Sequence, residues 1–270
     1  MSDQFFPPDL TDEKNENQES LMTWTGHLTE LRGRILKTLF FFILFFILLY
    51  PFSGRILDLL MLPLAQIMQK AGGSQRVIFT GLAEGFVSHL KLSAFGAAII
   101  SFPFLAFQVW CFIAPGLYEN ERRFVRPIFI ASPVLFFLGA LFVFFVLMPV
   151  AFRFLLSFQQ LAGAGNSLPV VLEARLSEYL SFLMTLILAF GISFQLPVVL
   201  VVLGRLGIIT AQNLKDFRRY AVVFIFIAAA VLTPPDVISQ LALAVPLLLL
   251  YESALWFIQS LEKKEDQGYK

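Results

Sequence analysis

Residues 220–258 read YAVVFIFIAAAVLTPPDVISQLALAVPLLLLYESALWFI. Taken as one helix this tract would be about 58 Å long at 1.5 Å per residue, far more than the ~30 Å of bilayer hydrocarbon. The adjacent Pro234 and Pro235 would also break it, since proline removes a backbone donor and clashes with the preceding turn. The tract therefore reads as two spans, 220–233 and 237–258, folded into a tight hairpin. Its first arm covers only about 21 Å of helix, so it must thin the bilayer or sit where protein shields its ends.

Working outward, four more continuous apolar runs appear at 35–52, 92–113, 127–152 and 179–203. They lack the dyad alternation of transmembrane strands, so helices are expected and sheet is not. Composition agrees. The 270 residues are 58% apolar and 14% charged, include 32 Phe, and have a mean hydropathy of +0.78. A soluble domain has about 25% charged residues and could not bury this much apolar surface. The fold class is all-α: a polytopic integral membrane protein of six transmembrane helices. Pro103, Pro133, Pro149, Pro197 and Pro246 predict bent helices around a concave groove. Neither an internal repeat nor an inverted pair of broken helices is visible, which weakens a transporter reading.

Lys and Arg divide 14 against 6 between the two sides of this topology, which places both termini in the cytoplasm. Residues 1–23 read as a disordered acidic cytoplasmic tail, 24–258 as the six-span core, and 259–270 as a cytoplasmic C-terminal tail. Residues 1–26 lack the basic-then-apolar pattern of a cleaved signal peptide. A net charge of +1 gives no nucleic-acid bias, and the single Cys111 excludes a disulfide framework. No phosphate-cradling glycine loop, GxSxG elbow or HExxH is present, so neither an enzyme nor a cofactor is expected. His27 and His89 fall on opposite sides of the membrane and cannot share a metal.

Polar residues in unusual places remain. Before the first span the chain reads HLTELRGR at 27–34. If helical, His27, Glu30, Leu31 and Arg34 share one face. A simple Glu30–Arg34 pair, worth about 0.2–0.5 kcal/mol, accounts for that spacing as well as a binding role does. The first cytoplasmic loop, within FQVWCFIAPGLYENERR at 107–123, puts Glu121 at the same membrane face as Glu30. It reads equally as a solvated turn. Within the spans lie Gln195, Gln240 and Glu252, with Asp236 at the hairpin tip. Hydrocarbon penalises such groups, which makes them functional candidates, although interhelical hydrogen bonds or an N-cap role for Asp236 would explain them too.

These segments, with YLSF at 179–182, AFGISFQLPVV at 189–199 and LTPPDVISQ at 232–240, resemble the TatC subunit of the twin-arginine protein translocase. The resemblance runs from about residue 24 to 258. It implies a receptor in the bacterial cytoplasmic membrane that binds double-arginine signal peptides of folded cargo. TatA- and TatB-type single-span subunits would be its partners, in an oligomer of receptor complexes driven by the proton motive force. Carried over by motif, Glu30 and Glu121 match the carboxylates for the arginine pair, and Arg32, Arg34, Phe112 and Arg123 match other recognition positions. Thr233 and Gln240 match positions where small subunits dock, while Pro63 and Asp236 match the extracytoplasmic cap and the hairpin tip. Many members carry glutamate where this chain has Gln195. A small-molecule or ion transporter using Gln195, Gln240 and Glu252 is the reading from another class.

Overall fold

The computed structural model describes residues 24–71, 77–114, 119–157, 174–232 and 237–268. Residues 1–23, read from the sequence as a tail, and the candidates Thr233 and Asp236 lie outside these. Helix α1 (Trp24–Leu49) opens the described chain and holds 27–34 in helical form. A 3₁₀ turn at Tyr50–Phe52, with Pro51 near its start, separates it from α2 (Ser53–Ala71). Helix α2 lies beyond the first apolar run and is amphipathic. Leu60, Leu64, Ile67 and Met68, spaced on one helical face, are buried against the bundle. Pro63 within it is also buried. A proline removes one internal donor from this stretch, and the Tyr179 hydroxyl donates to the Leu60 carbonyl at 2.5 Å.

Helix α3 (Glu84–Ile113) is the second span, and the third is built in pieces. After α4 (Glu119–Phe142) the backbone widens into a π turn at Val143–Leu147 and resumes as α5 (Met148–Leu156). Pro149 just beyond the π turn has no amide to donate back into it, which favours the wider turn. The fourth span is also divided, into α6 (Leu176–Ser193) and α7 (Leu196–Arg205). Pro197 starts a new helix here rather than bending one, since an early helical position needs no amide donor. Gly207, at φ 67°, then closes α7, and the Ile208 amide donates to the Leu203 carbonyl at 3.0 Å.

Helix α8 (Ala211–Leu232) is 22 residues long, but Lys215, Asp216, Arg218 and Arg219 occupy its first half. Among the described residues, five helices are long and apolar enough to cross a membrane, and α8 is the short arm of the hairpin. Its partner α9 (Val237–Gly268) continues past 258 as helix. The two run antiparallel. Tyr251 donates to the Leu214 carbonyl at 2.7 Å, and Gln240 to the Phe226 carbonyl at 3.2 Å. The Thr210 hydroxyl caps the start of α8, and the Glu262 carboxylate of α9 accepts from the Ala211 amide at 2.8 Å.

The apolar runs are helical as expected, and a little sheet lies outside them. Strands β1 (Val77–Ile78) and β2 (Ala174–Arg175) pair in parallel, Val77 with Ala174 and Ile78 with Arg175. They lie outside the spans, where solvent and loop chemistry permit strand pairing. Beside them the Glu84 carboxylate accepts from the amides of Thr80 at 2.7 Å, Gly81 at 3.0 Å and Ser177 at 3.1 Å. The start of α3 is thereby tied to the first turn of α6.

Close helix contacts depend on small residues. A Cβ on Gly139 of α4 would lie 2.8 Å from the Phe190 carbonyl oxygen, and one on Gly191 of α6 2.5 Å from the Phe136 ring. In a membrane, where lipid is as apolar as the core, such backbone approach is a main source of helix association. The principal core centres on Leu180, Leu183, Leu186 and Phe190 of α6. Leu36, Phe40 and Ile47 of α1 are exposed, facing where lipid would lie.

Candidate functional site at the helix-start end of the bundle

One end of the bundle gathers the start of α1, the end of α3, the start of α4, the end of α7 and the end of α9. His27 of α1 meets the Phe112 ring of α3 edge-on, with centroids 6.1 Å apart. Arg123 and Arg126 of α4 line a cleft with Trp110 and Cys111 of α3, while Arg205 of α7 lines another with Pro127 and Phe257. The helix starts and ends therefore bring Glu30 and the first turn of α4, which contains Glu121, to the same end.

Glu30 is half-buried. The Arg34 Nε donates to its Oε1 at 3.1 Å, and an Arg34 terminal nitrogen donates to the same oxygen. Among the described residues Oε2 has no partner, so half of the carboxylate remains available to a further donor. The i,i+4 pair suggested by spacing forms, and it leaves room for a ligand. Arg34 continues into a groove of about 550 Å³ between α1 and α3, walled by Ile35, Leu39, Phe42, Leu105 and Phe112 with Gln108 near its polar end. Phe41 stacks on Phe104 at 4.3 Å and holds the two helices together along it.

The other predicted residues are placed as follows. Arg32 is exposed on α1, and Arg123 lies across α3 from Glu30, on a second groove. Gln195 sits at the α6–α7 break. Its Oε1 accepts from the Ser132 hydroxyl at 2.5 Å, and its Nε2 donates to the Ser132 carbonyl at 3.0 Å. Gln240 bonds within the hairpin, as described. Glu252 makes a two-point ion pair with Arg218, with contacts of 2.8 Å, both side chains about half exposed. It is not an isolated intramembrane charge.

Sequence reasoning passed over Ser132, Arg218, Glu84 and Gln108. Arg218 could have been found: folding about Pro234-Pro235 sets residues 218 and 251–252 opposite each other. Nothing local pointed to Ser132, because its partner lies 63 residues away on a helix whose rotation is set by packing.

Comparison with known proteins agrees with this architecture. The family described as Sec-independent protein translocase protein (TatC) matches residues 26–246. The TatC protein of Rickettsia prowazekii is 46% identical over 236 residues, covering 87% of this chain and 92% of that protein. The Escherichia coli K12 TatC protein is 39% identical over 244 residues, covering 90% and 89%. A crystal structure of a twin arginine translocase receptor, TatC, superposes with a TM-score of 0.73 at 34% identity, covering 86% of this chain and 98% of that one. A helical bundle of the same architecture, matched over most of its length in sequence and in space, makes this chain a member of the TatC family of Sec-independent protein translocase proteins.

Proposed function

We propose that this chain is the signal-peptide receptor of a twin-arginine translocase, with both termini cytoplasmic. In this reading Glu30 and Glu121 hold consecutive arginines, and the groove between α1 and α3 takes the apolar part of the signal. The carrying observation is the Glu30 carboxylate, half-occupied by Arg34, at the mouth of an apolar groove at the end where α4 begins.

A guanidinium is a planar fork that a free carboxylate accepts in two parallel bonds, whereas an ammonium is a point charge, and at Glu30 the two-bond arrangement requires Arg34 to release Oε1. Charge-assisted hydrogen bonds contribute about 1.5–3 kcal/mol each, so two anchors give roughly 3–6 kcal/mol. That corresponds to dissociation constants from several millimolar to tens of micromolar. Apolar burial at ~0.8 kcal/mol per CH₂ must supply the remainder, and the α1–α3 groove offers the surface. Arg34 and Phe112 line that groove and set its shape, while Arg32 and Arg123 flank the end. The arginines do not contact the incoming pair, because like charges repel.

TatA- and TatB-type single-span subunits dock on the α8–α9 hairpin near Thr233 and Gln240. Val223, Phe224, Ile227 and Val231 of α8, with Leu241, Val245 and Leu249 of α9, form an exposed apolar surface there. The transporter alternative finds no support. Gln195 bonds to Ser132 of α4, while Gln240 and Glu252 bond to α8 within the hairpin, so each is engaged in helix packing. Titrating the detergent-purified receptor complex with Arg-Arg and Lys-Lys signal peptides tests the assignment: tighter Arg-Arg binding is expected, and equal affinities overturn the fork argument.

A further inference from the structure

Helix α3 has a groove on each flank. Opposite the α1 groove, α3 and α4 enclose a cleft of about 1130 Å³. Its walls are apolar, formed by Pro103, Phe107, Trp110, Phe129 and Pro133, and Trp110 packs on Phe129 with centroids 5.0 Å apart. Its mouth carries Arg123 and Arg126, three residues apart on one face of α4 and both exposed. The cleft opens on the flank of α3 away from the α1–α3 groove, and lipid binding there does not rest on the signal-peptide reading.

An apolar slot on the flank of a membrane bundle, capped by two guanidiniums and a tryptophan, is complementary to a phospholipid with net negative charge. Trp favours the interfacial depth at which headgroups lie. Arginine stems extend along apolar surface and deliver their charge to that same depth. Basic pockets between transmembrane helices capture anionic headgroups for this reason. We propose that the α3–α4 cleft binds an acidic phospholipid, its phosphate held by Arg123 and Arg126 and its acyl chains lying against Phe107, Trp110 and Phe129. A zwitterionic lipid offers the same tails without the net charge, and a free headgroup offers the charge without the tails.

The test is native mass spectrometry of the detergent-purified full chain titrated with phosphatidylglycerol, phosphatidylcholine or glycerophosphoglycerol. Phosphatidylglycerol should be retained about tenfold more tightly than phosphatidylcholine, as expected for at least one charge-assisted contact. That preference should disappear in Arg123→Gln/Arg126→Gln and persist in Arg123→Lys/Arg126→Lys. Cys111, the sole cysteine, lines the same cleft. A benzophenone maleimide attached there should crosslink to phosphatidylglycerol in vesicles of that lipid. Equal retention of the two lipids, competition by glycerophosphoglycerol as effective as by intact lipid, or exclusive crosslinking to a protein partner in native membranes would each overturn the proposal. If the glutamine variant does not fold, the wild-type lipid comparison and the Cys111 crosslink decide it.

Discussion

Ser132 and Gln195, on crossing helices, exchange two hydrogen bonds: the serine hydroxyl donates to Oε1 at 2.5 Å, and Nε2 donates to the serine carbonyl at 3.0 Å. Ser132 is buried, and Gln195 occupies the break between α6 and α7, so the pair fixes the third span against the fourth. Interhelical hydrogen bonds in membranes average about 0.6 kcal/mol and reach about 1.7. Ser132→Ala should destabilise within that range. A double-mutant cycle with Gln195→Ala, followed by thermal unfolding in detergent, should show non-additivity; strictly additive losses would mean that the pair is not coupled. The relationship also accounts for a neutral amide at this position. A glutamate here would lose the Nε2 donor and face the Ser132 carbonyl with a negative oxygen.

Glu30→Gln removes the charge that an incoming guanidinium would meet while keeping the shape of the side chain. Loss of one charge-assisted anchor, about 1.5–3 kcal/mol, should weaken double-arginine peptide binding roughly ten- to a hundredfold. Glu121→Gln should act similarly. Each variant should elute and melt close to wild type. Fluorescence anisotropy with a labelled signal peptide reads the affinity, and unchanged binding in both variants would remove these carboxylates from the site.

Three glycines should respond differently to alanine. At Gly139 the new methyl meets the Phe190 backbone oxygen at 2.8 Å, and at Gly191 it meets the Phe136 ring at 2.5 Å. That ring cannot retreat, because it is buried and stacked on Phe102 with centroids 3.8 Å apart. At Gly96 the neighbours are the methyl ends of Leu49 and Ile56, at 3.1 and 3.2 Å, which can shift. Overpacking typically costs about 1–3 kcal/mol, so Gly139→Ala and Gly191→Ala should lower the melting temperature clearly and Gly96→Ala much less. A reversed order would contradict the packing described.

The Glu84 carboxylate gathers three backbone amides from two segments. Glu84→Gln replaces one acceptor oxygen with a donor and sets it against an amide hydrogen. Hydrogen exchange at Thr80, Gly81 and Ser177 should accelerate, while amides at the Glu30 end stay protected as before. Uniform acceleration, or none, would show that Glu84 does not hold this end together.

Charge reversal tests the hairpin. Arg218→Glu or Glu252→Arg alone places like charges together between α8 and α9, and the double exchange restores the pair. With both side chains about half exposed the bond is worth about 1 kcal/mol or less. The expected signature is rescue in the double variant, read by melting temperature.

The sequence by itself determined the class of protein and most of its span plan. Apolar runs of bilayer length have no soluble alternative, and the 220–258 tract had to fold back at Pro234-Pro235. It also set the Glu30–Arg34 pair, because the HLTELRGR spacing is a property of a single helix. These features are local, decided by hydrocarbon thickness, proline chemistry and helical period. Only the tertiary structure decided that Pro197 divides a span, that α2 packs as an amphipathic helix through Leu60 and Leu64, and that Gln195 bonds to Ser132. It alone set Arg123 across α3 from Glu30, on a groove of its own. Such facts depend on how each helix is rotated about its axis and how closely glycines let neighbours approach, and pairwise packing between distant segments sets both.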